Sequence, residues 1–484
     1  MMALNFLILV LMMLSILSTK ASKQCYAEME SPYVYFAAMT SYSAGRGSQM
    51  NVPENCEPVY LWGLIRHGTR YPEIEVINSM DKLYVLRDEI ILNHKKERGN
   101  LCEKDILNLG KWSSNLPAGV VSEGLAPQGV KDQIFLAQKM KEIFPKLFES
   151  PTKDDIMHIF VFHLHQFQSS GQSRTRDSAI AFSNELTGSN FTTSEGNNIT
   201  ENPELLQLAE HCPRYVKEVE QNSSTYMEVN LFKKTAYFQK IIAEISIRLG
   251  YIQSLSFDSI LLMYNVCAYE NAWDPGSRPP FCAAFLPDEL KVFEYLYDMN
   301  RYYKRGYGSR FVNQLGCPVV QDMMQSLLYA NQKLSKTHKG KFLFSHMETI
   351  IPTTVKLGLY KDEEPLRHDN YQKMIKKRKW RLAQFDPFAA NIIAVLYKCF
   401  NQTKVVIYQN ERPSVFPQCN NSSFCSLEIL QRMFSDVFNK DECNTEFCQL
   451  HSEKVFSAYS DFLNPIILAI IFLIITYFLR CRYL

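Results

Sequence analysis

Apolar residues gather in short unbroken runs that stop at polar turns; the clearest are Val59 to Ile65, Ile159 to Leu164 and Phe342 to Phe344. Runs of that length, rich in β-branched and aromatic residues, predict strands buried in a sheet. From Leu125 to Phe148 the apolar positions instead recur at helical spacing, with Gly129 near the start, which predicts a helix packed on the sheet beside the first strand. Between about Asn202 and Tyr307, aromatic and charged residues alternate at helical periods with few strand signals. The pattern therefore predicts an α/β core over 22–201 and 341–455, with a helical cap over 202–340 between its halves.

Two apolar stretches lie outside that core. Met1 to Ser18 runs into small residues ending near Ala21, which predicts a signal peptide over 1–21, although it lacks an early basic residue. Phe462 to Leu479 carries no charge over 18 residues and is followed by Arg480, Cys481 and Arg482, long enough for a transmembrane segment with a cytoplasmic end. A glycolipid-anchor signal competes, with Ser457, Ala458 and Ser460 as small candidate sites. Both readings put the domain between them in the lumen of the secretory pathway or outside the plasma membrane.

Cysteine and charge sharpen this picture. Of thirteen cysteines, twelve lie from Cys25 to Cys448, an even number that suits up to six disulfides in an oxidising compartment. Sequence proximity makes Cys419 with Cys425, and Cys443 with Cys448, local candidates. Glycosylation sequons start at Asn190, Asn198, Asn222, Asn401, Asn420 and Asn421. No Cys-x-x-Cys or His-Glu-x-x-His element appears, so neither a metal nor a cofactor is expected. A net charge of +2 argues against a nucleic-acid surface and leaves local arginines and lysines to hold an anionic partner. The densest basic run, Lys373 to Arg381, reads equally well as a solvated helix face or as an attractor of substrate.

The first strand runs directly into Arg66, His67, Gly68, Thr69, Arg70, Tyr71 and Pro72. A neutral imidazole can attack phosphorus near pH 7, and the phosphoramidate it forms is labile enough for water to release. Arg66 and Arg70 supply planar, permanently charged forks that match phosphoryl oxygens, and Gly68 lets the backbone approach closely. The strand places this histidine at its C-terminal end, where ligand sites of open α/β sheets sit.

The string Arg66 to Pro72 resembles the Arg-His-Gly-x-Arg-x-Pro signature of the histidine acid phosphatases. That resemblance implies a phosphoglycerate-mutase-like mixed sheet flanked by helices with an inserted helical cap, His67 as nucleophile, and Arg66 and Arg70 as phosphate-binding residues. It implies a third phosphate-binding arginine after a second strand, met by Arg174 in Ser173-Arg-Thr-Arg-Asp-Ser-Ala179; the neighbour Arg176 reads as a solvated helix residue. It also implies a His-x-acid element after a third strand, met by His346, Met347 and Glu348, with methionine where the family has alanine. By the resemblance His346 contacts phosphoryl oxygens and Glu348 protonates the leaving alkoxide, which gives an acidic optimum, since Glu348 must carry its proton.

Further segments resemble the multiple inositol polyphosphate phosphatases: Arg301 to Gly308, Pro387 to Asn391, Val395 to Cys399 and Asn410 to Pro413. The implied substrates are inositol hexakisphosphate and related polyphosphates, with 2,3-bisphosphoglycerate as a further candidate. A general acid phosphatase for small monoesters shares the first motif, but usually has aspartate directly after the second histidine. A mutase usually has Glu or Gln where Thr69 stands, and a non-catalytic binding ectodomain would tolerate loss of His67 or Glu348, both of which are present.

Overall fold

The computed structural model describes residues 25–29, 34–148, 165–188, 199–332, 339–439, 442–450, 470 and 472–474. The elements that position the site are β1 (Cys56–Arg66), a helix α1 (Asp81–Lys95), α2 (Pro127–Ile143), β2 (His165–Ser169), α3 (Ser173–Thr187), β3 (Thr200–Glu201), α4 (Ala236–Arg248), α5 (Phe257–Trp273), α6 (Pro287–Arg305), α7 (Val312–Gln332), β4 (Gly340–Ser345), α8 (Met347–Lys356), β5 (Asn391–Cys399), β6 (Gln402–Gln409), β7 (Arg412–Pro413) and β8 (Cys425–Ser426).

The strands form one mixed sheet in the order β3-β2-β4-β1-β5-β6-β7, with β8 pairing off β6. β4 lies parallel to both β1 and β2, whereas β5 runs antiparallel to β1 and β6 antiparallel to β5. The parallel register sets Arg66 against Ser345, so β1 and β4 end level and deliver His67 and His346 to the same edge. Helices cover both faces, and successive side chains of β1 serve them alternately. Leu61 and Ile65 join Leu136, Met140 and Phe182 of α2 and α3, while Trp62 and Leu64 join Val320 and Met323 of α7 and Ile350 of α8. The expected phosphoglycerate-mutase-like arrangement, a mixed sheet between helices, is what the chain adopts.

A second apolar cluster joins α1, α4, α5 and α6 around Leu83, Ile245, Tyr264 and Phe293. This helical lobe does not coincide with residues 202–340. Its partner α1 comes from before that range, and α7, inside it, packs on the sheet. The periodicity of α7 is helical, but helical spacing does not say which layer an apolar face will cover.

The run Ile159 to Leu164 lies outside the described residues, and the described strand at that point is His165–Ser169. All twelve cysteines from Cys25 to Cys448 are paired: Cys25–Cys102, Cys56–Cys399, Cys212–Cys448, Cys267–Cys282, Cys317–Cys443 and Cys419–Cys425. The local pair Cys419–Cys425 forms as expected. Cys443 and Cys448 instead bond Cys317 on α7 and Cys212, so two bridges staple the last described segment to the helices rather than closing a short loop. Six bridges suit an oxidising, secreted or lumenal setting. Residues 1–21 and Cys481 lie outside the described residues, as does 462–479 apart from Ile470 and 472–474. Among the described residues no helix is long and apolar enough to cross a membrane. Asn222, Asn401, Asn420 and Asn421 are exposed; Asn190 and Asn198 lie outside the described residues.

Candidate active site

His67 follows directly on β1 in a turn held from three sides. Gly68 is required there, because a Cβ at that position would stand 2.2 Å from the Gly129 carbonyl oxygen in the first turn of α2. The Gly68 N–H donates to Ser178 Oγ on α3 (3.2 Å), and the Thr69 N–H and hydroxyl both donate to Asp132 Oδ2 on α2 (3.0 and 2.7 Å). Gln133 Nε2 donates to the Arg66 carbonyl at 3.0 Å. The N-terminal turns of α2 and α3 thus clamp the turn and bring the positive ends of two helices toward it.

The clamp also fixes the protonation of the nucleophile candidate. His67 is buried, and its Nδ1 sits 2.9 Å from the Gly68 carbonyl oxygen, which can only accept. The proton therefore resides on Nδ1, and Nε2 keeps its lone pair. Burial, then the charges of Arg66, His346, Arg174 and Arg70, push its pKa well below the usual histidine value. His67 stays neutral in acid, as a nitrogen nucleophile must.

The predicted site residues come together around this ring. The His346 ring centroid lies 5.4 Å from that of His67; its Nε2 meets Ser170 Oγ at 2.8 Å, and its Nδ1 is buried with no hydrogen-bond partner. Burial and the nearby arginines lower the His346 pKa to about 3. Arg66 spends Nη1 on the carbonyls of Ala38, Asp386 and Pro387 (2.8, 2.8 and 3.0 Å), leaving its buried Nε without a partner. Arg174, in the first turn of α3, likewise has a buried, unpartnered Nε. Unsatisfied buried donors are rare, and two guanidinium Nε groups beside one imidazole, with the unpartnered His346 Nδ1 among them, suit an oxyanion with several oxygens. Arg176 is partly exposed and pairs with Glu201, as a solvated helix residue should.

Carboxylates balance these cations. Glu123, held at φ 58° in the loop before α2, lies between Arg70 (3.6 Å) and Arg174 (3.9 Å), and Arg70 also bonds Glu73 Oε1 at 2.6 Å. Asp386 is fully buried beside Arg66, and burial outweighs that charge to raise its carboxyl to about 7. Glu348, in the first turn of α8, forms a direct ion pair with Arg305 of α6. Burial alone would raise its pKa, but Arg305, His346 and Arg301 together hold it well below the usual carboxylate range. Beside Arg305, Glu348 is therefore an anion, not the protonated acid that the sequence pattern suggests.

Met347 replaces the family's alanine and lines a cavity of about 60 Å³ together with Arg66, Arg70 and Arg301, its sulfur 3.3 Å from Arg301 Nε. Arg301, Arg305, Glu123 and Asp132 are the residues that motif reading did not assign. The i, i+4 spacing of Arg301 and Arg305 on a helix was a usable signal for the first two. The basic run Lys373 to Arg381 is divided: Arg378 is buried against Glu294 (2.8 Å) and Asp298, whereas Lys373 pairs with Glu364 near the surface.

The model of the histidine phosphatase superfamily (branch 2) matches residues 60–415. The chain belongs to that family. It is 29% identical over 460 residues to the multiple inositol polyphosphate phosphatase 1 of Drosophila melanogaster, covering 91% of this chain and 94% of that one. The human multiple inositol polyphosphate phosphatase 1 is 29% identical over 451 residues, covering 86% and 89%. In fold, the chain is similar to a phytase from D. castellii (TM-score 0.63, 15% identity, 85% and 87% covered) and to the Bifidobacterium longum multiple inositol polyphosphate phosphatase solved with inositol hexasulfate (TM-score 0.61, 15% identity, 85% and 100% covered). The histidine phosphatase fold and enzyme class follow, and the sequence expectation of both holds.

Proposed function

We propose that this histidine phosphatase removes phosphates from inositol polyphosphates, inositol hexakisphosphate among them, through a phosphohistidine on His67. The observation that carries the reading is the pair of buried, unpartnered donors Arg66 Nε and Arg174 Nε, with the unpartnered His346 Nδ1 beside them, around an imidazole whose Nδ1 is spoken for. The substrate class is supported by the curated relatives over most of both chains.

In this reading Arg66, Arg70, Arg174 and His346 hold the phosphoryl oxygens; the Thr175 hydroxyl donates to the Gln172 carbonyl, Ser170 to Thr175 and His346 Nε2–H to Ser170, so His346 Nδ1 faces the phosphate and takes a proton as the phosphate charge arrives. His67 Nε2 forms a bond to phosphorus as the bond to the inositol oxygen breaks, and Glu348 gives that oxygen a proton. Water then attacks phosphorus, Glu348 takes a proton from it, and His67 is released with phosphate. Residues 22–201 and 341–455, joined by α7, form the catalytic core, and the rest of 202–340, joined by α1, forms the cap. A signal peptide over 1–21, glycosylation at the exposed sequons and an anchor over 462–479 set the catalytic domain outside the plasma membrane or in the lumen, which surface labelling of the full chain and of a truncation before Phe462 would check.

The experiment is phosphate release from inositol hexakisphosphate and from an aryl monophosphate, by the wild-type protein and His67→Ala, from pH 4 to 7.5. Preferential release from the inositol substrate, lost in the variant and greatest below neutrality, is expected. Preference for the aryl ester would favour a general acid phosphatase, and inactivity on both a binding ectodomain.

A further inference from the structure

A general acid must hold a proton when the leaving group departs, yet the ion pair with Arg305 keeps Glu348 ionised. Its carboxylate is paired with Arg305 Nη1; Arg305 is buried, and its Nη2 bonds Glu220 Oε1 at 2.6 Å while its Nε reaches the Tyr215 hydroxyl at 3.4 Å. Lys304 Nζ lies 3.1 Å from the same Glu220 oxygen. Arg305 is thus a bridge between an inner acid and an outer one, and Glu220 is partly exposed. The cations facing Glu348 are Arg305 and Arg301 on α6, Arg66 and Arg174, with His346 beside it. The acids and hydroxyl facing it are Glu210, Asp386 and Tyr215.

Resting on the inositol polyphosphatase reading, we infer that Arg305 is a substrate-responsive positioning residue: a second, non-scissile phosphate draws its guanidinium off Glu348, and only then does Glu348 take a proton from solvent. A phosphate presents more charge and more acceptor oxygens to a guanidinium fork than one carboxylate does, so it competes for Arg305 effectively. The same phosphate charges also favour the neutral form of a neighbouring carboxyl. Glu348 then gives its proton to the bridging oxygen as the phosphorus–nitrogen bond forms, and recovers one from the water that cleaves the phosphohistidine. When product leaves, Arg305 returns to Glu348 and the proton goes to solvent. A monoester brings no second phosphate, leaves the ion pair closed, and reacts without a competent acid. Discrimination between the two substrates then appears in kcat, not only in KM.

The pH profile of kcat separates this from a merely structural ion pair. In the wild-type chain the activity on an aryl monophosphate should fail at a lower pH than the activity on inositol hexakisphosphate. Arg305→Gln should move the aryl limb up to meet the other and raise aryl kcat, while raising KM for the hexakisphosphate about tenfold through the lost charge-assisted contact. Glu220→Gln leaves Arg305 more fully on Glu348 and should move the aryl limb the opposite way. Arg305→Lys, which keeps the charge but not the fork, should give a smaller upward shift and serves if the glutamine variant does not fold. An aryl limb that does not move, or moves the same way in the Arg305 and Glu220 variants, overturns the inference. His67→Ala run alongside tests the reading beneath it, since hydrolysis surviving there would sink the phosphohistidine route whatever the Arg305 variants do.

Discussion

At Gly68 and Gly129 two backbones meet where no side chain fits. A Cβ on Gly68 would lie 2.2 Å from the Gly129 oxygen and 2.6 Å from its carbonyl carbon, and one on Gly129 would lie 2.1 Å from the Thr69 oxygen. Every atom within reach of a Gly68 Cβ is main chain, so relief there requires moving α2 or the turn that carries His67. Gly68→Ala should cost about 1–3 kcal/mol of stability, as overpacking does, and about a hundredfold in kcat through the displaced imidazole. Gly110→Ala is the control: its Cβ would meet nothing closer than 3.7 Å, within the helix Glu103–Lys111, so activity should hold and stability stay level or rise. Thermal melts and steady-state kinetics on both variants decide it, and an active, stable Gly68→Ala protein would show that the contact is not binding.

The element that aims the nucleophile is α2, and its polar face does the aiming. Asp132 receives two bonds from Thr69 and one from Gln128 Nε2 (2.9 Å), and burial raises its carboxyl while those bonds oppose the rise. Asp132→Ala leaves the buried Thr69 N–H unpaired, a loss of about 1–3 kcal/mol. It should lower kcat more than it raises KM, because the imidazole loses its aim while the phosphate-facing arginines stay. Asp132→Asn, which keeps one acceptor, should lie between. The periodicity of α2 and the strand β1 were legible in the chain, since each buries residues at its own spacing, and so were His67, Arg66, Arg70, Arg174, His346 and Glu348 as a set. Asp132 was not, because one acid among the lysines, glutamines and Glu142 of an amphipathic helix looks like solvent-facing polarity until the turn it serves is known. Glu123 was hidden for a related reason: its place between Arg70 and Arg174 depends on how its loop folds back, with Tyr71 N–H on the Gly124 oxygen (2.9 Å) and Glu123 N–H on the Pro72 oxygen (3.0 Å). The bridges of Cys443 and Cys448 are contacts of the same kind, decided by distant partners and not by neighbours in the chain.

For the molecule as a whole, a site built of buried neutral histidines is a liability in acid, and other buried groups offset it. His67 and His346 titrate far below the value of about 6.5 they would have unfolded. As pH falls through that value the unfolded chain binds protons that the native one refuses, so both histidines remove stability between pH 7.5 and 5, His346 by about 2 kcal/mol. Three carboxyls act in the opposite sense. Burial raises Asp386 to about 7, raises Glu270, which accepts from Trp112 Nε1 at 2.9 Å, to about 7, and raises Asp298 to about 7. Below that pH they take up protons in the native state that the unfolded chain accepts only near pH 4, so each adds about 2 kcal/mol on going down to pH 5. The opposing slopes should keep the wild-type melting temperature from falling between pH 7.5 and 5, the range in which an acid-side phosphatase works. Removing one group from either side should tilt the profile relative to wild type: His346→Gln gains in melting temperature at pH 5 over 7.5, and Glu270→Gln loses. Melting curves of the three proteins at the two pH values carry the test, and variants whose pH dependence matches the wild type's would mean that neither group titrates as its burial dictates.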